Sequence, residues 1–312
     1  MKRARSYSAQ PFRDSSGRMW SHPSVIALMA EAVGAETPCD IVRRKARSLV
    51  DEARQMGWEG PPFDPEVIAS FRSLEVRTAT QSIRADGRIF PNREGTLIIE
   101  LRPDLSPRRR RFTICHEIAH TLFSDCYESV RHRGGMELAH RELEFLCNLA
   151  AGEFLMPLEA FKSEIADRIP SMYLAELLRV KFDASMEATL RRLIDVSGGK
   201  AALLTMSRRL KPSEIKEEDN LLGLEGLAEQ VVATPKLRVD YSWTSPSFRV
   251  HIPEHKSAPD ASVAYQVLES AGCLPKKENW GIRGQGDWMV EATTAPPVEG
   301  VVDRVLVLVR PV

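Results

Sequence analysis

The stretch Arg110-Arg111-Phe112-Thr113-Ile114-Cys115-His116-Glu117-Ile118-Ala119-His120 decides how this chain is read. His116 and His120 are four residues apart. On a helix that spacing stacks the two imidazoles on one face, one turn apart. Two nitrogens so placed can share one Zn²⁺ at about 2.0–2.1 Å. Glu117 falls at the edge of the same face, where a carboxylate can take a proton from water without being a ligand itself. Ser106-Pro107 supplies a cap and a first-turn proline, so a helix is predicted to start there and carry the motif. Phe112, Ile114, Ile118, Ala119, Leu122 and Phe123 supply its buried side.

A catalytic zinc keeps three protein ligands and one open position. Downstream, Glu128, Glu137, His140, Glu142, Glu144 and Glu153 offer the third. Glu144 is favoured: it lies on a helix predicted around residues 137 to 155, whose other side is apolar (Leu143, Leu146, Leu149, Ala150), with Asn148 one turn further on. Glu142 and His140 are its nearest competitors. The spacing alone gives Glu144 only a modest preference.

Upstream, Thr37-Pro38-Cys39-Asp40 reads as a capping box with a first-turn proline, opening a helix that lasts to Gly57. Asp64-Pro65 opens a shorter one. Leu74–Thr78 alternates apolar and polar residues. Gly87–Phe90 and Thr96–Leu101 flank Pro91, Asn92 and Gly95, which predicts a β-hairpin. Residues 1–35 read as a loose N-terminal arm, with a short helix over Pro23–Ala32. Residues 158–200 look all-helical, and Leu174–Ile194 has helix-turn-helix rhythm. From about residue 201 the character changes to a second α+β region, with strands at Phe248–Ile252 and Val301–Val309 and a helix over Ala261–Ala271.

The bulk numbers fit an ordinary globular protein of several domains. The chain has 312 residues, and 43 Lys and Arg balance 43 Asp and Glu, so global charge argues for neither nucleic acid nor an acidic membrane. Cys39, Cys115, Cys126, Cys147 and Cys273 are odd in number and lack CxxC spacing. They predict neither a disulfide framework nor a zinc finger. With no apolar span or signal-like h-region, the expected location is cytoplasmic.

The run Arg110–His120, followed by Glu144-Phe145-Leu146-Cys147-Asn148 and Ala150-Ala151-Gly152-Glu153-Phe154-Leu155-Met156-Pro157, resembles the ImmA/IrrE family of bacterial metallopeptidases over about residues 37–160. That family shows an RRFTxAHExxH run, then a Glu, an Asn four residues on, and an Ala-rich helix ending in Leu-Met-Pro. Its third zinc ligand maps onto Glu144. Cys147 stands where the family usually has Ala, and Gly152 interrupts the Ala-rich helix. Neither departure is expected to touch the ligands.

The resemblance implies an α+β, zincin-like and gluzincin-like metallopeptidase domain (residues 36–160) with a small antiparallel sheet and the HExxH helix. A helix-turn-helix-like module (161–200) and a GAF-like sensor domain (201–312) would follow. It further implies an endopeptidase that cleaves a helix-turn-helix transcriptional repressor encoded nearby, after DNA damage or phage-related stress. Single-stranded DNA is the expected activator in a CapP-like branch linked to anti-phage defence. The alternative, from another class, is a non-enzymatic DNA- or ligand-binding regulator with a structural zinc site. Intact Glu117 speaks against it, since a structural site has no need of that base.

Remaining features carry narrower expectations. Cys126, just beyond the motif helix, has the chemistry of a fourth ligand or latch, against the commoner fate of an incidental thiol. Cys115 should be a small buried hydrophobe. Tyr127, His132 and His140 are the options for a second oxyanion stabiliser. Arg108–Arg111 is expected to form structural ion pairs, because a helix N-terminus is unfavourable for unpaired cations. Leu174–Ile194 is expected to pack on the peptidase domain. Tyr241, Trp243, Trp280 and Trp288 are core or pocket lining, and Lys276–Gly286 reads as a mobile loop.

Overall fold

The computed structural model describes residues 10–81, 83–126, 131–132, 138–166, 168–215, 234–270, 274–282, 286–297 and 302–312. The chain divides into two compact units. The first holds residues 1–164 and 180–185; the second holds 165–179 and 186–312.

In the first unit, prolines and their caps set where the helices begin. Helix α2 (Pro38–Gln55) starts on the full capping box, with Thr37 and Asp40 satisfying each other's backbone amides. Helix α3 (Pro65–Phe71) starts on Asp64, whose side chain accepts from the Glu66 amide. Helix α4 (Pro107–His120) starts after Ser106, which occupies the cap position without a side-chain hydrogen bond. Helix α5 (Leu138–Leu155) and helix α6 (Leu158–Ile165) complete the set after α4.

The sheet is mixed, not antiparallel as expected. Strands β3 (Glu75–Thr78), β4 (Gly87–Pro91), β5 (Leu97–Leu101) and β6 (Arg131–His132) lie in the order β3-β5-β4-β6. The hairpin β4–β5 is antiparallel, with Gly87 opposite Leu101 and Pro91 opposite Leu97. Asn92 closes its turn by accepting from the amides of Glu94 and Thr96, and Gly95 takes φ +87°. The third strand breaks the pattern. β3 takes the far side of β5, so it runs parallel to β5. The intervening loop crosses the end of β5 and is pinned there, Ala79 N donating to Leu101 O and Arg102 N to Asp86 O.

Residues 10–35 are more ordered than a loose arm. Strands β1 (Phe12–Arg13) and β2 (Met19–Trp20) form a two-stranded ribbon, followed by helix α1 (Pro23–Leu28) and one 3-10 turn to Glu31. The Glu142 carboxylate on α5 accepts from the amides of Ser21 and His22 and from the Ser21 hydroxyl, at 2.7–2.9 Å. Arg18 sits over the rings of Trp20 and Phe145, a cation–π arrangement.

The second unit is built on an antiparallel sheet. Strands β7 (Ala202–Arg209), β8 (Lys236–Thr244), β9 (Lys276–Glu278), β10 (Trp288–Thr294) and β11 (Arg304–Pro311) lie in the order β8-β7-β11-β10-β9. Runs such as Ala202-Leu203-Leu204-Thr205-Met206 and Val305-Leu306-Val307-Leu308-Val309 are apolar at nearly every position, the mark of strands covered on both faces. All ten of these residues are buried. Helix α9 (Val263–Glu269) packs on β10 and β11 through Val263, Ala264 and Val267. Helix α8 (Met186–Val196), which follows α7 (Met172–Lys181), packs on β7 and β8 through its buried Leu190, Leu193 and Ile194.

Of the stretch Leu174–Ile194, expected to pack on the peptidase domain, residues 180–185 belong to the first unit, whereas α8 belongs to the second. Glu187 and Arg191 of α8 bind Tyr241, and Arg304 of β11 binds Glu187 at 2.7 Å. Burial pushes the Glu187 carboxyl up, but Arg191, Tyr241 and Arg304 outweigh it and hold the group below the usual range. Trp243 donates to Asp195, while Trp280 and Trp288 are core. Phe248–Ile252 is not a strand. Its alternation comes from Phe248 and Ile252 inserting into the core from irregular chain. Within the expected mobile loop, Lys276–Glu278 forms β9, paired to β10. Among the described residues, no helix is long and apolar enough to cross a membrane.

Strand β5 is buried at every position, Glu100 included. Burial raises the pKa of Glu100, yet hydrogen bonds and charge from Arg88 and Arg77 more than offset this, and the carboxyl sits below its ordinary value of 4.5. A depressed pKa stabilises the fold above the unfolded value and loses that contribution as pH falls through the folded value. Glu100→Gln should therefore cost about 2 kcal/mol near pH 7, a figure reduced because both arginines are part-exposed. The deficit should shrink below about pH 4.5, as read by urea denaturation across pH. A cost that stays constant down to pH 3 would contradict it.

Candidate metal centre

Helix α4 is buried on all sides from Thr113 to His120. It lies against α3, α5, β4 and β5. His116 and His120 stand one turn apart, with ring centroids 5.1 Å apart and edge to face. Glu144 approaches from α5. Its Oε2 is 3.2 Å from His116 Nε2 and its Oε1 is 3.7 Å from His120 Nε2. The ligand atoms of the three residues all lie within 4.8 Å of one another. Among the described residues, no other group of three or more His, Cys, Asp or Glu side chains gathers in this way.

These atoms suit a cation. His116 Nε2 and Glu144 Oε1 are buried and make no hydrogen bond among the described residues. An unsatisfied buried polar atom costs about 1–3 kcal/mol, and coordination by a metal ion removes that cost. Two imidazoles and one carboxylate are also a donor set that zinc takes at catalytic sites.

The far side of each imidazole is held by α5 as well. Asn148 Oδ1 lies 3.0 Å from His116 Nδ1. Cys147 Sγ lies 3.4 Å from His120 Nδ1. This corrects the expectation that the departure at Cys147 leaves the ligands untouched. The signal was available in the spacing: 144, 147 and 148 are i, i+3 and i+4, so all three share one helix face.

The other acids proposed as third ligand are engaged elsewhere. Glu142 anchors Ser21 and His22, and Glu153 pairs with Arg47 at 3.0 Å. Glu128 and Glu137 lie outside the described residues. His140 sits at the rim, its Nε2 3.8 Å from Glu144 Oε1 and its ring 6.3 Å from that of His22. Of the other oxyanion options, Tyr127 and the side chain of His132 are outside the described residues. Cys126 is buried, but it is not among the residues whose ligand atoms converge. Cys115 is buried too, and desolvation pushes its thiol up to about 12.

Sequence reasoning passed over Gly87. A Cβ there would come 2.6 Å from Thr113 Cγ2 and 3.1 Å from Glu117 Oε1. The first strand of the hairpin thus runs directly against the buried Glu117, and only a glycine lets it. The four arginines opening α4 are all tied. Arg108 and Arg111 reach Asp183 at 3.0 and 3.4 Å, Arg109 pairs with Asp86, and Arg110 reaches Glu66 at 2.7 Å. Arg111 also donates to Phe63 O.

Residues 74–193 match the profile of the Peptidase M78 family, described as the IrrE N-terminal-like domain. Over these residues the chain is similar to that family. The IrrE N-terminal-like match spans β3 through most of α8 and includes all three converging residues and Glu117. No curated protein matches the chain. Among solved structures, a Mycobacterium tuberculosis transcriptional regulator is similar in fold. It has 14% identity and a TM-score of 0.56, over 86% of this chain and 76% of that one.

Gly87→Ala should force Thr113 or Glu117 to shift. We expect a stability loss of about 1–3 kcal/mol, measured by denaturant titration. A Gly87→Ala protein as stable as the parent would show that β4 can retreat from α4 freely.

Proposed function

We propose that the chain is a zinc-dependent endopeptidase, with His116, His120 and Glu144 holding the ion and Glu117 as the catalytic base. The observation that carries this reading is the convergence of the three donor atoms within 4.8 Å beside a fully buried Glu117. The match to an M78 peptidase family supports it. When bound, zinc would supply Lewis-acid polarisation of the scissile carbonyl and a lowered pKa for the attacking water. Glu117 takes the proton of that water as it adds to the carbonyl carbon, and returns it to the leaving amine as the C–N bond breaks. Asn148 keeps the His116 ring in the tautomer whose Nε2 lone pair faces Glu144.

The substrate we propose is a helix-turn-helix transcriptional repressor encoded beside this chain, cut in the cytoplasm in response to DNA damage or phage-related stress. Single-stranded DNA is the proposed activator, and the second unit, read as a GAF-like domain, is the proposed sensor. The solved transcriptional regulator of similar fold is in keeping with a role in gene control. The idea of Cys126 as a latch gains no support from the convergence of the other three residues.

Metal analysis and a cleavage assay test the reading together. The purified chain should carry one zinc equivalent, and Glu144→Ala should lose most of it. Glu117→Gln should keep the zinc and lose cleavage of the repressor at least about 100-fold, with single-stranded DNA present or absent. Cleavage at parental rates by Glu117→Gln would sink the assignment of the base.

A further inference from the structure

We infer that Cys147 is a positioning residue for the metal centre, accepting a hydrogen bond from His120 Nδ1 through its sulfur. The inference rests on the reading above, in which His120 is a ligand. A neutral imidazole carries one N–H. For Nε2 to offer its lone pair towards Glu144, that hydrogen must sit on Nδ1. The partner of Nδ1 therefore decides whether the ring is ready to bind. Cys147 Sγ is 3.4 Å from Nδ1, and the thiol is fully buried.

The two histidines are thus oriented by neighbouring residues of one helix with unlike chemistry. Asn148 offers a carbonyl oxygen at 3.0 Å to His116, and Cys147 offers a sulfur at 3.4 Å to His120. Glu144, one turn earlier on α5, supplies the ligand itself. Rotation or translation of α5 would move the carboxylate and both orienting groups together. Sulfur is the softer and weaker acceptor of the two.

The test uses metal binding instead of turnover. Zinc affinity is measured by chelator competition on the full chain, and the visible d–d bands of the Co²⁺-loaded protein report ligand geometry. Cys147→Ala removes the acceptor; Cys147→Ser keeps one. Cys147→Ala should weaken zinc binding about tenfold and shift the cobalt bands, while Cys147→Ser should stay within about threefold of the parent. Parental affinity and spectrum in Cys147→Ala would overturn the inference. Equal losses in the two variants would also overturn it, since they would trace to packing. Melting curves of the metal-free variants separate a binding defect from a folding one, and if Cys147→Ala fails to fold, the Cys147→Ser affinity decides alone. A parent chain that binds no zinc would instead remove the metal reading, and this inference with it.

Discussion

The apposition of α4 and α5 is the constraint on which the first unit depends. Two imidazoles one turn apart can meet a carboxylate only if a second helix lies against that face at close range. The approach places His116, Glu117 and His120 out of contact with solvent. Polar groups so buried are costly unless each finds a partner. The structure meets that demand at the Nδ1 side of the two rings. α5 brings Glu144, Cys147 and Asn148 to the two rings. β4 can lie close to Glu117 because Gly87 has no Cβ.

Charge at the head of α4 follows from the same burial. Four successive arginines stand where the helix dipole disfavours cations. Between them they join the helix to four parts of the unit: Glu66 on α3, Asp86 before β4, Asp183 in the 180–185 segment, which Arg108 and Arg111 share, and the Phe63 carbonyl. Single surface pairs of this kind contribute little to stability. Spread around one helix end, they fix its direction, and direction is what the spacing between α4 and α5 requires. Phe182, in the same returning segment as Asp183, packs beside Phe63 and Phe161.

What was legible in the sequence was local. Thr37-Pro38, Asp64-Pro65 and Asn92 with Gly95 act within a few residues of themselves, and the elements they open or close are found where they predict. Pairing across the chain was not legible. Leu74–Thr78 reads as a strand, but nothing in it states that it will join β5 in parallel. Ser21 and His22 look like ordinary loop residues because their partner, Glu142, is over 100 positions away. Phe248–Ile252 has strand periodicity, and Phe248 and Ile252 are indeed both buried, yet among the described residues no neighbouring strand takes its hydrogen bonds. The continuous apolar runs of β7 and β11 suit strands covered on both faces. They could not say that α8 would supply part of that cover.

The choice among candidate third ligands shows how tertiary context sorts chemically equal residues. Glu142, Glu144 and Glu153 lie on one helix, and composition cannot rank them. Glu142 is saturated by three donors from the N-terminal segment, and Glu153 is neutralised by Arg47. A carboxylate so satisfied gains little by leaving its partners for a cation. Glu144 differs. Its Oε1 is buried with no hydrogen bond among the described residues, and it lies near imidazole nitrogens, which in their neutral form share its need for a positive centre. Selection among the three therefore rests on what the rest of the chain has already bound, and the N-terminal segment from Ser21 helps define the candidate metal centre by engaging Glu142, the closest competitor.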